Sequence, residues 1–184
     1  ATLNLNGGGS LARYYVSVSY VDEGGMYKVD EGLKDYNTNA NYRRWNYRLN
    51  VDMDITKSTL LKVGVAGSLD KKNEPGMAGN IWASAMRNNP ISVPVMYSNG
   101  YVPAYGSEND QLNPWVAATQ TGYQETWNNK LQANATLEQS LNFITKGLKF
   151  IGRYGFDTNN YQWINRKKFP EMWRAEQNRA SDGS

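Results

Sequence analysis

Five aromatic residues fall in one long segment between residues 71 and 123: Trp82, Tyr97, Tyr101, Tyr105 and Trp115. Flat aromatic faces meet the apolar side of a sugar ring well, which makes these five the candidate ligand contacts. Packing of the segment against itself or against a protein cap explains the same residues, and both readings stay open. Glu108, Asn109 and Asp110 bring hard oxygen donors together as a calcium loop does. They lack the ligand spacing and the glycine of such a loop and read as a solvated turn, so no metal is expected. Glycoside hydrolysis needs two acids facing each other about 5–10 Å apart, one with a raised pKa, and nothing places such a pair in an apolar cleft. The 184 residues contain neither Cys nor His. That removes disulfides, thiolate zinc sites, haem ligation, Ser-His triads and cysteine nucleophiles together. No catalytic residue and no cofactor is expected, and the chain does not read as an enzyme.

Charge and hydropathy narrow the partners. A formal charge of +3 over the whole length is too small and dispersed to track phosphates, so nucleic acid is excluded as a partner. Mean hydropathy is −0.70, and no run approaches the roughly 18 apolar residues a membrane-spanning helix needs. That test does not reach β-barrels. The chain opens in mid-pattern at Thr2-Leu3-Asn4-Leu5-Asn6 with no leader-like segment, and is expected to be a piece of a longer protein.

The elements that carry these residues are strands. From Trp45 to Ile55, Trp45, Tyr47, Leu49, Val51, Met53 and Ile55 alternate without exception with Asn46, Arg48, Asn50, Asp52 and Asp54. A period of two over this length is a strand with one apolar and one strongly polar face. The pattern recurs and predicts strands over about 2–6, 12–22, 42–55, 60–70, 125–139 and 148–159, an all-β antiparallel meander in a single region spanning 1–184. A soluble strand averages about 5–6 residues. Twelve residues at about 3.3 Å each and a tilt near 40° rise about 30 Å, enough to cross the apolar band of an outer membrane.

Connections alternate in length. Gly7–Leu11, Thr56–Leu60 and Asn142–Gly147 are brief, whereas 23–41, 71–123 and everything after Asn159 are long. In a meander every second connection shares a rim, and short turns on one rim with long loops on the other are how outer-membrane barrels are built. Within the longest loop, 79–87 reads as a short helix closed by Asn88-Asn89-Pro90. Asn113-Pro114 followed by 115–121 and Gly122 has cap, first-turn proline and terminal glycine in order. Tyr14, Tyr20, Trp45, Tyr47, Trp127 and Tyr154 share the apolar face and read as an interface girdle. Arg44, Arg48, Asp52, Asp54, Arg153 and Asp157 project from the polar face and read as solvated lumen side chains. Asn134-Ala135-Thr136 matches a glycosylation acceptor but sits in mid-strand, an accidental match.

The order and spacing of several motifs resemble the SusC/RagA class of TonB-dependent outer-membrane transporters. They are Leu3-Asn4-Leu5-Asn6-Gly7-Gly8-Gly9 leading into Ala12-Arg13-Tyr14-Tyr15-Val16-Ser17-Val18-Ser19-Tyr20, then Asp22-Glu23-Gly24-Gly25-Met26-Tyr27 and Tyr42-Arg43-Arg44-Trp45-Asn46-Tyr47-Arg48-Leu49-Asn50-Val51-Asp52. Leu61-Lys62-Val63-Gly64-Val65, Lys72-Asn73-Glu74-Pro75 and Gly147-Leu148-Lys149-Phe150 complete the set. The resemblance implies a plug domain inside a 22-stranded barrel, a SusD-like lipoprotein over the outer mouth, and import of glycans or oligopeptides with energy passed on by TonB. The plug, the TonB-contacting segment and most strands would lie outside these residues. Outer-membrane lipid and an oligosaccharide or peptide substrate are the further partners implied. The alternative reading is a soluble all-β carbohydrate-binding module whose apolar faces meet in a sandwich core.

Overall fold

The computed structural model describes residues 1–29, 31–32, 36–89, 91, 94–104 and 112–174. Six strands form one sheet in sequence order: β1 (Thr2–Gly8), β2 (Ala12–Gly24), β3 (Asn41–Thr56), β4 (Thr59–Pro75), β5 (Gly122–Ser140) and β6 (Lys149–Lys167). The chain is thus an all-β antiparallel up-and-down meander. Its alternation sets the register. Leu3 pairs with Val18 and Leu5 with Val16, while Asn4 pairs with Ser17 and Asn6 with Tyr15. A slip of one residue would move every leucine and valine to the polar side.

The strands run past their expected ends. β4 continues to Pro75 rather than stopping near residue 70, so the long connection begins at residue 76. β6 continues to Lys167, which corrects the expectation of a loop after Asn159. β5 is 19 residues long, as is β6, and these added residues are mostly polar. Ladder hydrogen bonding to a neighbouring strand extends a polar segment that carries no periodic signal of its own.

Contacts gather the chain into two compact units. One comprises Ala1–Glu23, Tyr42–Lys72 and Thr126–Trp163; the other comprises the described residues of Gly24–Asn41, Asn73–Glu125 and Ile164–Ser184. The first is sheet with both faces uncovered. Leu49 is 39% exposed, Leu3 71% and Tyr154 70%. Apart from Pro75 at the end of β4, every large apolar side chain described as buried lies outside the strands.

The second unit holds the only hydrophobic cluster among the described residues: Met77, Ile81, Leu112, Ala117 and Ala118, with Tyr27 and Met172 packed on it. Two helices build it. α1 (Ala78–Arg87) ends at Asn88, and α2 (Pro114–Thr119) starts from Asn113, whose side chain accepts the Trp115 N–H at 3.0 Å. Both helices form where sequence places them, and α2 stops at Thr119, before the expected 121. Gly122 then turns the chain into β5 with φ +86°, and a Cβ there would collide with the carbonyl oxygen of Arg166. Only glycine meets both conditions.

Candidate functional site

Polar side chains of β2 to β5 join into a network on one face of the first unit. The Asn46 amide donates to Ser19 Oγ at 3.0 Å, and Arg44 Nε donates to Asn46 Oδ1 at 2.8 Å. Arg44 Nε also lies 3.4 Å from Asp70 Oδ1, which accepts from the Tyr42 hydroxyl at 3.1 Å. Toward the short turns, Arg13 pairs with Asp54 at 3.3 Å and Lys62 with Glu138 at 2.7 Å. All these residues lie on the polar side of the alternation. Because they remain partly exposed, each ion pair contributes less than about 1 kcal/mol, and the network orders the face more than it stabilises the sheet.

An open cavity of about 630 Å³ lies on this face. Its lining includes the small residues Ser17, Ala66 and Ser68 and the longer Arg44, Arg48, Lys130, Gln132 and Asp157. Alternation explains the mix. Gly67 points the other way, beneath the Tyr47 ring, and a Cβ on it would strike both the Tyr47 hydroxyl and the Lys130 carbonyl oxygen. Of the charged groups in the cavity, Arg44 is engaged by Asp70, while Arg48, Lys130 and Asp157 form no ion pair within 4 Å among the described residues. The arrangement presents amides, hydroxyls and a few charges to water. Such groups hydrogen-bond polar molecules, and no group of three or more acids among the described residues is placed to hold a metal.

The opposite face carries aromatics where strands turn polar. Tyr20 and Trp45 meet with their rings tilted by 40° at 5.3 Å between centroids, and Tyr20 donates to Asp22, itself 3.5 Å from Arg43. Lys71 Nζ lies 4.6 Å over the Trp127 ring.

The five loop aromatics do not converge. Tyr101 stacks on Trp173 at 4.6 Å, fixed by the bridge between Pro103 and Trp173. Tyr97 closes a tight turn by bonding through its backbone to Tyr101 and Gly100. Trp82 stands 61% exposed on α1, and Trp115 is half-buried in the first turn of α2. No ring contact among the described residues joins Trp82, Tyr97 or Trp115 to the Tyr101–Trp173 pair. Tyr105 lies outside the described residues, as do Glu108, Asn109 and Asp110. Trp173 had no periodic signal to mark it, because its partner lies some seventy residues away in sequence. The cavity was half legible: alternation marks Arg44, Arg48, Lys130, Gln132 and Asp157 as polar-face residues, whereas strand pairing decides that they meet in one cavity.

No family model matches the chain, and no curated protein matches it.

Proposed function

We propose that the chain forms part of the wall of a transmembrane β-barrel in the bacterial outer membrane. One observation carries this reading: a six-stranded meander of long strands with an apolar face that nothing in the described chain covers. In water, exposing Leu3, Leu5, Leu49, Phe150, Tyr154 and Phe156 together on one sheet is an aggregation hazard. Against hydrocarbon the same face is satisfied, and the polar network then lines a water-filled interior. A sandwich core would need a second layer over Leu49, Val51 and Met53, and the described residues form one sheet only.

Within that class, the resemblance supports a TonB-dependent transporter of the SusC/RagA kind. It would import glycans or oligopeptides with a SusD-like lipoprotein over its mouth and TonB acting through a plug. The chain contributes barrel wall and substrate-facing loops in this reading, and carries no chemistry. The test is fractionation of the complete protein expressed in a Gram-negative host. Recovery in the outer membrane with heat-modifiable gel mobility is expected; a monodisperse, cooperatively folded protein in detergent-free buffer refutes the reading. For the loops, alanine at Tyr101 or Trp115 is expected to weaken substrate affinity, and unchanged calorimetric affinity in both removes them from the site.

A further inference from the structure

β6 reverses its alternation partway along. Up to Phe156 the apolar residues Phe150, Tyr154 and Phe156 sit at even positions, opposite Asp157 and Asn159. Beyond Asn159 the large aromatics are Tyr161 and Trp163, at odd positions, and the even positions hold Asn160 and Gln162. The ladder does not slip to cause this. Leu141 N–H bonds Leu148 O at one end and Lys168 N–H bonds Thr121 O at the other, two pairs with the same residue-number sum. Tyr161 and Trp163 therefore lie on the face that Asp157 and Asn159 share with the 630 Å³ cavity. The same register sets Tyr161 across from Asn128 and Trp163 across from Thr126.

These two rings are 61% and 59% exposed, on the side that is otherwise mostly hydrophilic, with Tyr15, Val21 and Ile151 as its apolar exceptions. Neither touches another ring among the described residues. The surroundings define what they suit. Asn159 and Asn128 offer amides, which bond hydroxyls as donor and acceptor alike. Arg48 and Lys130 line the adjoining cavity without an ion-pair partner, against the single uncommitted acid Asp157. Flat apolar faces next to amides suit a hydroxylated ring, and an excess of uncommitted cations suits a carboxylate on it.

We infer that Tyr161 and Trp163, with Arg48 and Lys130 in the adjoining cavity, form a binding site for an acidic oligosaccharide of the uronate type. The rings stack on the C–H faces of a sugar, and the two cations take its carboxylate. This site is distinct from the loop aromatics, and it rests on the reading of the polar face as the barrel interior.

The experiment is calorimetric titration of the complete detergent-solubilised protein with a galacturonate tetramer and with the neutral galactose tetramer. The acidic tetramer is expected to bind about tenfold tighter or better, an advantage that shrinks at 0.5 M NaCl, about a threefold to fourfold rise in salt over physiological strength. Trp163→Ala and Tyr161→Ala are each expected to weaken both tetramers by about threefold to tenfold, with Trp163→Phe retaining most of the affinity. Arg48→Gln combined with Lys130→Gln is expected to bring the acidic tetramer down toward the neutral one, whose own affinity changes by a smaller factor. Binding of neither tetramer overturns the inference, as does a preference for the neutral one or an affinity indifferent to Trp163→Ala and Tyr161→Ala. Heat-modifiable mobility of the same preparations reports on the barrel separately, so a folded barrel that ignores both tetramers sinks this site alone. A wild-type protein without that mobility overturns both.

Discussion

Val51→Arg and Asn50→Arg are adjacent substitutions with opposite expected outcomes. Trp45 and Ile55 bound the apolar run of β3 and are ten residues apart. At about 3.3 Å per residue and a tilt near 40° that run rises about 25 Å, the height of an outer-membrane apolar band. Val51 then lies within about 3 Å of the midplane, where an arginine on the lipid side costs about 2–4 kcal/mol. That is about a 30- to 1,000-fold loss in the folding equilibrium. Asn50 projects to the opposite, polar side, where a second cation among Arg48, Asp52 and Asn46 is expected to cost less than about 0.5 kcal/mol. The measurement is urea titration of the complete protein in phospholipid vesicles, followed by the heat-modifiable gel shift. Equal costs at the two positions would refute the assignment of faces, and with it the membrane reading.

The remaining predictions concern parts of the fold that need no membrane argument. Gly122→Ala is expected to destabilise the protein by about 2 kcal/mol or more, since it forces a β-carbon into a left-handed backbone and against Arg166; a denaturation midpoint equal to wild type contradicts this. Asn113→Ala removes the cap of α2 and the donor to the Val95 carbonyl from a site 1% exposed, so about 1–2 kcal/mol of local stability should be lost. Faster hydrogen exchange over Val116–Thr119 is the readout, with Asn113→Ser showing a smaller change. Lys62→Gln breaks a 2.7 Å pair with Glu138 but at partly exposed side chains, and is expected to shift stability by less than about 1 kcal/mol. A larger loss would show that the pair is shielded from solvent.

Much of this architecture was legible because the two faces of each strand differ in chemistry. The run from Trp45 to Ile55 alternates without exception, so its strand and both its faces followed from residue order. Asn113-Pro114 announced a helix start for an equally local reason: cap and first-turn proline are chosen by the backbone they sit on. Strand ends were less legible. Lys71 to Glu74 are polar and Asn160 to Lys167 reverse the parity of the strand before them, and both are strands because a paired neighbour supplies their hydrogen bonds.

Period-two alternation alone therefore determined the fold class, the six strands and the separation of an apolar from a polar face, since side-chain direction in an extended chain depends only on position parity. Which polar residues meet was decided by the register between strands, a property of pairs of segments that no single segment encodes. Register brought Lys130 and Asp157 to the cavity that Arg44 and Arg48 share, and an isolated bridge put Trp173 against Tyr101. The apolar face itself was readable from sequence, whereas its lack of a covering layer among the described residues required the tertiary structure, because covering is a relation between elements far apart in the chain.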